Sequence, residues 1–408
     1  MEIKEYEFDP ENVLGKGSFG TVYKGMHNFD GKSQVVALKN IPKEILDDQS
    51  KIQSLNNEIL ISIELNKEDK NDNENKKNSK NKEVQENKEE NKEENKPENN
   101  LPNFKEYIVN FIDITSIDDK KYLVYEYCNG GDLKRYLKHF KRFDEKMVQY
   151  IMTQIIKGLY VLHNRKIVHH DIKPENILIE LCPDIKNEEK DKEKKKEEII
   201  KTIMEKTNPK NRYKKEYEGF KNEQVLEVLK HSKMKLSDFG LSKFKKEEKK
   251  IEIAGSPLYL DPNLLKNESK LDTVENEKVD IWSLGILAYE LFFNELPFSP
   301  FPPSIERLKS LFNQGEYIID FKKCKGEKIS KQFLSFLNAC LQEEQKIRPL
   351  TDELLQFEFI VRDPDYFTYL DINNYKEANY PEGDYLKTEG KITMNINDNR
   401  GINANFDW

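Results

Sequence analysis

The stretch "IVHHDIKPENILI", Ile167 to Ile179, sets Asp171 two residues before Lys173 and five before Asn176, with apolar residues on both sides. The three polar groups differ in chemistry. A carboxylate at 171 can accept a hydrogen bond from an incoming hydroxyl. An ammonium at 173 can neutralise charge on a transferring phosphoryl group, and the amide of Asn176 offers an oxygen ligand for a metal. Some sixty residues later "KLSDFGLSK" adds Asp238, a second hard oxygen ligand suited to magnesium. Phosphoryl transfer passes through a loose transition state, so its catalysis is mostly positioning and electrostatics. The stretch reads as a loop that aligns a hydroxyl with a metal-bound triphosphate.

Working outward, "LGKGSFGTV" runs from Leu14 to Val22 and carries Gly15, Gly17 and Gly20 in GxGxxG spacing, with Ser18 and Phe19 between the last two. A dinucleotide-binding fold would start a helix inside that motif. Here "TVYKGM" alternates like a strand, so the glycines belong to the tip of a strand–turn–strand. Glycine there lets backbone amides approach phosphate oxygens; a plain Gly-rich hairpin is the bland alternative. "VVALK" ends the third strand on Lys39, and Glu58 on the following helix is its candidate partner. A lysine held by a glutamate can orient the α- and β-phosphates of ATP.

The rest of the chain bounds the reading. It is 35% charged and 36% hydrophobic with net charge -8, so a core requires uneven polarity. Residues 66–100 have Val84 as their only aliphatic residue and read as a disordered insert. Their Lys and Glu nearly cancel, which argues against a polybasic tether for nucleic acid or membrane. A second charged insert spans 181–233; within it "EEIIKTIMEK" and "NEQVLEVLKH" read as short, solvated amphipathic helices. Subtracting the inserts and a tail from 361 to 408 leaves roughly 275 residues, the size of one two-lobed domain. Four scattered cysteines form no CxxC pair, no apolar signal core opens the chain and no run spans a membrane. A cytoplasmic protein is expected, with the nucleus as the alternative. Helices are expected at "SKIQSLNNEILISIELN", with Ile52, Leu55, Ile59 and Ile63 as its apolar stripe. A second is expected at "MVQYIMTQIIKGLYVLH", with Val148, Ile151, Ile155, Leu159 and Leu162 on one face, and a third at "VDIWSLGILAYELFF", apolar nearly all round and hence buried.

With these elements in order, the chain resembles the eukaryotic protein kinases from about Tyr6 to Ile360. The resemblance implies an α+β, two-lobed fold: an N-lobe over residues 1–127 with a small antiparallel sheet and one helix, and a larger, mainly helical C-lobe over 128–360. It implies ATP and Mg2+ as cofactors and protein substrates phosphorylated on serine or threonine, and leaves the oligomeric state open. Asp171 and Lys173 match catalytic positions, and Asn176 and Asp238 metal ligands. Leu14, Gly15, Gly17, Ser18, Phe19, Gly20, Val22, Ala37, Lys39 and Glu58 match ATP-binding positions. So do Glu126 and Cys128 in "VYEYCNGGDL", where hinge backbone groups hold adenine and Tyr125 is the gatekeeper. Asp132 matches the acidic residue near the ribose, Leu178 an apolar floor position, and Asp280 the brace of the catalytic loop. Lys173 and Ser256 in "GSPLYL" resemble the serine/threonine class. "EYCNGGDL" and "GSPLYL" together resemble most closely the autophagy-initiating subgroup; about 48 residues follow residue 360, fewer than that subgroup's C-terminal helical domains need.

Five positions depart from the family pattern. His170 replaces an arginine that commonly grips an activation-loop phosphate. Glu252 stands where the primary phosphoacceptor is usual, which suggests a loop held without phosphate through a lysine such as Lys245 or Lys246. Asp261, Pro262 and Asn263 replace Ala-Pro-Glu, whose glutamate normally pairs with an arginine matching Arg348, so a weakened C-lobe is expected. Ser62 stands where an apolar residue is usual. Asn263, Ser62 and His170 together support an alternative reading as a pseudokinase scaffold or allosteric binder. A small-molecule phosphotransferase is disfavoured by the peptide-docking segment "GSPLYL".

Overall fold

The computed structural model describes residues 5–17, 20–67, 105–140, 142–181, 222–245, 255–265, 276–297, 305–314, 328–367 and 369–371. They fall into two compact units: one made of residues 1–131, 157–167 and 178–244, the other of 132–156, 168–177 and 245–408. The fold class is α+β, with an antiparallel sheet in the first unit and mainly helices in the second.

The first unit is built on β1 (Tyr6–Gly17), β2 (Gly20–Phe29), β3 (Lys32–Ile41), β4 (Phe111–Ile117) and β5 (Lys120–Glu126), in sheet order β1-β2-β3-β5-β4 with every pair antiparallel. The period of two divides β3 cleanly. Val36 and Leu38 point to one face and join Tyr6, Tyr122 and Val124 in a buried cluster. Ala37, Lys39 and Ile41 point to the other, where Ile41 and Leu123 pack with Ile45 of α1 (Lys43–Leu46) and Leu55 of α2 (Gln49–Asn66).

The stripe expected on α2 holds in part. Leu55 is buried and Ile59 packs half-buried against the same cluster, but Ile63 is 44% exposed, and the inward face also takes in Glu58, Ile61, Ser62 and Leu65. Two of these inward residues are polar, so hydrophobicity alone missed them. Asn66 belongs to this helix, and its side-chain amide donates to the Phe111 carbonyl. Residues 68–100 of the expected insert lie outside the described residues.

The second unit begins with α3 (Leu133–Phe140). The next helix, α4 (Glu145–Asn164), starts in the second unit and ends in the first; its residues Val148, Ile151, Ile155, Leu159 and Leu162 are all buried, as expected. β6 (Ile167–Val168) and β7 (Ile177–Glu180) flank the stretch that carries Asp171, Lys173 and Asn176. Within the second charged segment, "EEIIKTIMEK" lies outside the described residues. "NEQVLEVLKH" forms α5 (Asn222–Leu229), and it is not a solvated helix: Leu229 is fully buried and Val228 nearly so. β8 (Lys233–Leu236), paired with β7, and β9 (Lys243–Phe244) follow; residues 178–244, with most of β7, α5, β8 and β9, belong to the first unit.

After α6 (Pro262–Leu265) comes α7 (Asn276–Phe293), buried along its length as its sequence requires. Then follow α8 (Ile305–Gln314), β10 (Lys328–Ser330), α9 (Lys331–Cys340), α10 (Thr351–Leu354), α11 (Glu358–Val361) and β11 (Tyr369–Asp371). Ser330 caps α9 by accepting from the Phe333 amide at 3.0 Å. The chain beyond residue 360 continues the unit: Gln149 donates to the Phe359 and Arg362 carbonyls, Phe367 is buried, and β11 pairs with β10. Among the described residues no helix is long and apolar enough to cross a membrane.

Candidate active site

In the first unit, Leu14 and Gly15 lie on β1, and Gly17 pairs with Gly20 at the mouth of the hairpin, with Val22 further along β2. The glycines therefore occupy a strand–turn–strand tip, not a helix start; Ser18 and Phe19 lie outside the described residues. A Cβ added at Gly15 would meet no protein atom within 4 Å. The protein's own packing does not demand glycine there. Val22 sits opposite Lys39 across β2 and β3, and Ala37 lies two residues before it on the same face.

Lys39 gathers residues far apart in the chain. Its Nζ donates to Glu58 Oε1 at 2.6 Å and to Asp238 Oδ1 at 3.1 Å. Burial pulls the ammonium's pKa down, but the charge of Glu58, then that of Asp238, outweighs it, and the pKa ends above the ordinary lysine value. Asp238 adopts φ +62°, a left-handed conformation uncommon for aspartate, and leads into a turn, Phe239–Leu241, packed against α2. Its side chain stays 40% exposed, while that of Glu58 is 1% exposed.

Lys235 braces the end of β5. Glu126 ends β5, and its carboxylate accepts from Lys235 Nζ at 2.7 and 2.8 Å; Glu180 adds a second partner at 3.0 Å. Sequence reasoning missed Lys235 because a lysine in a short strand looks like a solvated charge, yet its side chain is only 7% exposed. Cys128 is buried, and desolvation pushes its thiol up to about 12, which makes it unreactive. Leu178, half-buried, stands beside Ile179, whose backbone exchanges hydrogen bonds with Gly130 and Gly131 at 2.8 Å each.

In the second unit, Asp280 of α7 is fully buried and accepts from the backbone amides of His169 and His170, both at 2.8 Å. This is the brace expected of it. His170 is held at φ +66°. Asn176 donates its amide to the Asp171 carbonyl and to Asp171 Oδ2, both at 2.8 Å, which turns its own amide oxygen away from that carboxylate. Lys173 Nζ lies 2.7 Å from Asp171 Oδ2 and donates to Ser256 Oγ at 2.8 Å; Ser256 Oγ in turn donates to Asp171 Oδ1 at 2.8 Å. Gly255 brings Ser256 there at φ +119°, where a Cβ would come within 2.4 Å of the His170 carbonyl oxygen. Asp132, expected near a ribose, caps α3: its carboxylate accepts from the backbone amide and Nε of Arg135 at 3.0 and 2.7 Å.

The weakened C-lobe expected from Asn263 is corrected. The ion pair is present, two residues earlier: Arg348 and Asp261, both side chains fully buried, form a two-pronged pair. Gln345 donates to Asp261 Oδ2 at 2.8 Å, and the Arg348 guanidinium lies 5.1 Å from the centre of the Trp282 ring. Asn263 donates to Asp261 Oδ1 and to the Glu343 carbonyl, at 2.9 and 2.8 Å. Lys245 pairs with Glu277 of α7 at 2.6 Å. Glu252 and Lys246 lie outside the described residues.

The chain matches the family model described as "Protein kinase domain" over residues 64–360. That range begins inside α2, so the glycine tip, Lys39 and Glu58 precede it. The chain is 30% identical over 268 residues to the serine/threonine-protein kinase SKM1 of Saccharomyces cerevisiae, covering 63% of this chain and 32% of the relative. It is 24% identical over 364 residues to the serine/threonine-protein kinase ULK1 of Homo sapiens, covering 89% and 26% respectively. It is 24% identical over 373 residues to the serine/threonine-protein kinase ppk11 of Schizosaccharomyces pombe, covering 88% and 83%. The chain thus spans about a third and a quarter of the length of the first two relatives.

Proposed function

The chain belongs to the protein kinase family, and from that premise we propose that it transfers the γ-phosphoryl group of ATP, with Mg2+, to serine and threonine hydroxyls of protein substrates. The observation that carries the proposal is the Lys39 ammonium bridging Glu58 and Asp238, partners 19 and 199 residues away in sequence. A buried ion pair is weak evidence for a role in stability, and desolvated charges with specific partners cluster at functional sites. Orienting triphosphate oxygens is the role proposed for it.

In this reading Asp171 accepts the proton of the substrate hydroxyl as its oxygen bonds to the γ-phosphorus, and the bond from that phosphorus to the β–γ bridging oxygen breaks, releasing ADP. Lys173, beside Asp171, offsets negative charge on the phosphoryl group. Ser256, the residue most like the serine/threonine class, positions both. The residues fit a nucleotide and a divalent cation. Gly15 leaves room for phosphate at the hairpin tip, the Asp238 carboxylate is half-exposed, and the Asn176 amide oxygen points away from Asp171. Asp238, in the first unit, and Asn176, in the second, are each a candidate ligand for magnesium, which when bound would neutralise phosphate charge. Glu126 and Cys128 would present hinge backbone to the adenine, between the apolar side chains of Leu14, Val22, Ala37 and Leu178.

The departures that would favour a scaffold weigh less once Asp261 supplies the buried pair with Arg348. The scattered cysteines support a reducing compartment, the cytoplasm first and the nucleus second. The test is a radiolabelled-ATP assay on generic acceptor proteins, analysed for phosphoserine and phosphothreonine. Incorporation that vanishes in Asp171→Asn supports the reading; no incorporation by the wild-type protein, with ATP bound, would overturn it.

A further inference from the structure

Ser62 occupies a buried place where an apolar residue was expected, and its surroundings are polar. Glu58 and Ser62 lie one helical turn apart on α2, 1% and 2% exposed. Tyr125, near the end of β5, reaches the same spot: its hydroxyl donates to Glu58 Oε1 at 3.0 Å, the oxygen that also accepts Lys39 Nζ at 2.6 Å. The Ser62 hydroxyl is buried with no hydrogen-bond partner among the described residues, and it acts against the rise of the Tyr125 pKa. The Tyr125 ring is fixed edge-on to Phe111, with centroids 5.4 Å apart and planes at 65°. Burial first, and the negative charge of Glu58 second, raise the phenol's pKa well above its ordinary value, so it remains a donor at physiological pH.

A buried carboxylate needs several donors, and this one has two, both on Oε1; Oε2 has no partner among the described residues. Loss of the phenol would leave Lys39 alone against a charge removed from water. A leucine at 62 would in turn place an apolar surface against the phenolic hydroxyl. We propose that Tyr125 and Ser62 form a polar latch that holds α2 to the sheet with Glu58 aimed at Lys39. The latch takes the place of an apolar contact, so Ser62 is matched to Tyr125 and does not weaken the helix. Tyr125 is therefore a positioning residue for the phosphate-orienting pair. The role in turnover rests on the phosphoryl-transfer reading; the mechanical role does not.

The test compares wild type, Tyr125→Phe, Ser62→Leu and the double variant, with amide hydrogen exchange of nucleotide-free protein and steady-state kinetics side by side. Tyr125→Phe is expected to speed exchange in α2 and to lower kcat by about 10-fold, the scale of one hydrogen bond to a charged group. KM for ATP should move less than about 3-fold, because the phosphates still meet Lys39. The double variant, with an apolar pair in place of the polar one, should recover slower exchange and faster turnover than Tyr125→Phe. Unchanged α2 exchange in Tyr125→Phe, or faster exchange spread equally over β3 and α4, would overturn the latch. So would a double variant no better than Tyr125→Phe. A wild type that transfers no phosphoryl group while Tyr125→Phe loosens α2 would sink the proposed activity and leave the latch standing. If Ser62→Leu alone does not fold, the exchange of Tyr125→Phe still decides.

Discussion

Asp238 carries two tasks with one carboxylate: one oxygen accepts from Lys39, and the side chain remains 40% exposed at a left-handed backbone position. Asp238→Asn keeps the shape and removes the charge, so magnesium-dependent ATP turnover should be lost while circular dichroism stays native. Normal turnover in that protein would remove the metal assignment. Asp261 makes the opposite case, a charge used for stability. Both it and Arg348 are fully buried, and removal of one member of a buried pair strands the other. Asp261→Asn is expected to cost about 3–5 kcal/mol in thermal or denaturant unfolding. Asn263→Glu should not stabilise, because a second carboxylate would face Asp261. An unfolding midpoint unchanged in Asp261→Asn would refute the assignment of the pair. The grouping of Asp171, Lys173 and Asn176 was legible in the sequence because the three share one short, ordered motif. Asp261 was not, since the pair had moved two positions and only three-dimensional contact reveals which carboxylate took it.

At the level of elements, strands and the long apolar helices were legible because one physical signal dominates each of them. The alternation in β3 and the unbroken apolar surface of α7 each admit one reading. On α2 two signals conflict: inward Glu58 and Ser62 are polar, and outward Leu60 and Ile63 are apolar and exposed. A similar mismatch hid α5, whose single buried turn is embedded in a charged stretch. The segment after Asp238 yields a prediction about control. Between Asp238 and Asn263 the only hydroxyl side chains are Ser242, Ser256 and Tyr259. Ser242 is 1% exposed, Ser256 is bonded to Asp171 and Lys173, and the buried Tyr259 donates to Glu290. No free hydroxyl is offered to a kinase, and His170 lacks the two-pronged geometry with which arginine grips phosphate. Protein treated with phosphatase should therefore keep its rate. A large loss, traced by mass spectrometry to a phosphate between Asp238 and Asn263, would overturn this.

For the whole molecule, the question is how a chain so rich in charge still builds two compact units, and the answer lies in where the charge is put. The contacts at the roots of the first charged segment show the protein closing it off. The Lys67 carbonyl accepts from Lys105 Nζ and from Arg165 Nη2, the latter at 3.3 Å, and Arg165 Nη1 also takes the Glu64 and Leu65 carbonyls at 3.1 and 2.9 Å. Arg165 thus caps the last turn of α2 from outside the helix, while Lys105 ties the returning chain to the same carbonyl. Residues 67 and 105 are neighbours in space, so a bridge of about six residues, with a reach of roughly 20 Å, is long enough to join them. Closure entropy varies slowly with loop length, about 0.6 kcal/mol per doubling, so replacing residues 69–103 by Gly/Ser changes stability by roughly 2 kcal/mol at most, in the favourable direction. The deletion must spare Asn66 and Lys67, whose polar groups hold the end of α2 in place. The shortened protein should fold with an unchanged or slightly higher thermal midpoint and keep turnover within a few-fold. If it fails to fold, or loses turnover more than about 10-fold with α2 intact by hydrogen exchange, the segment contributes to the active unit in a way its composition conceals.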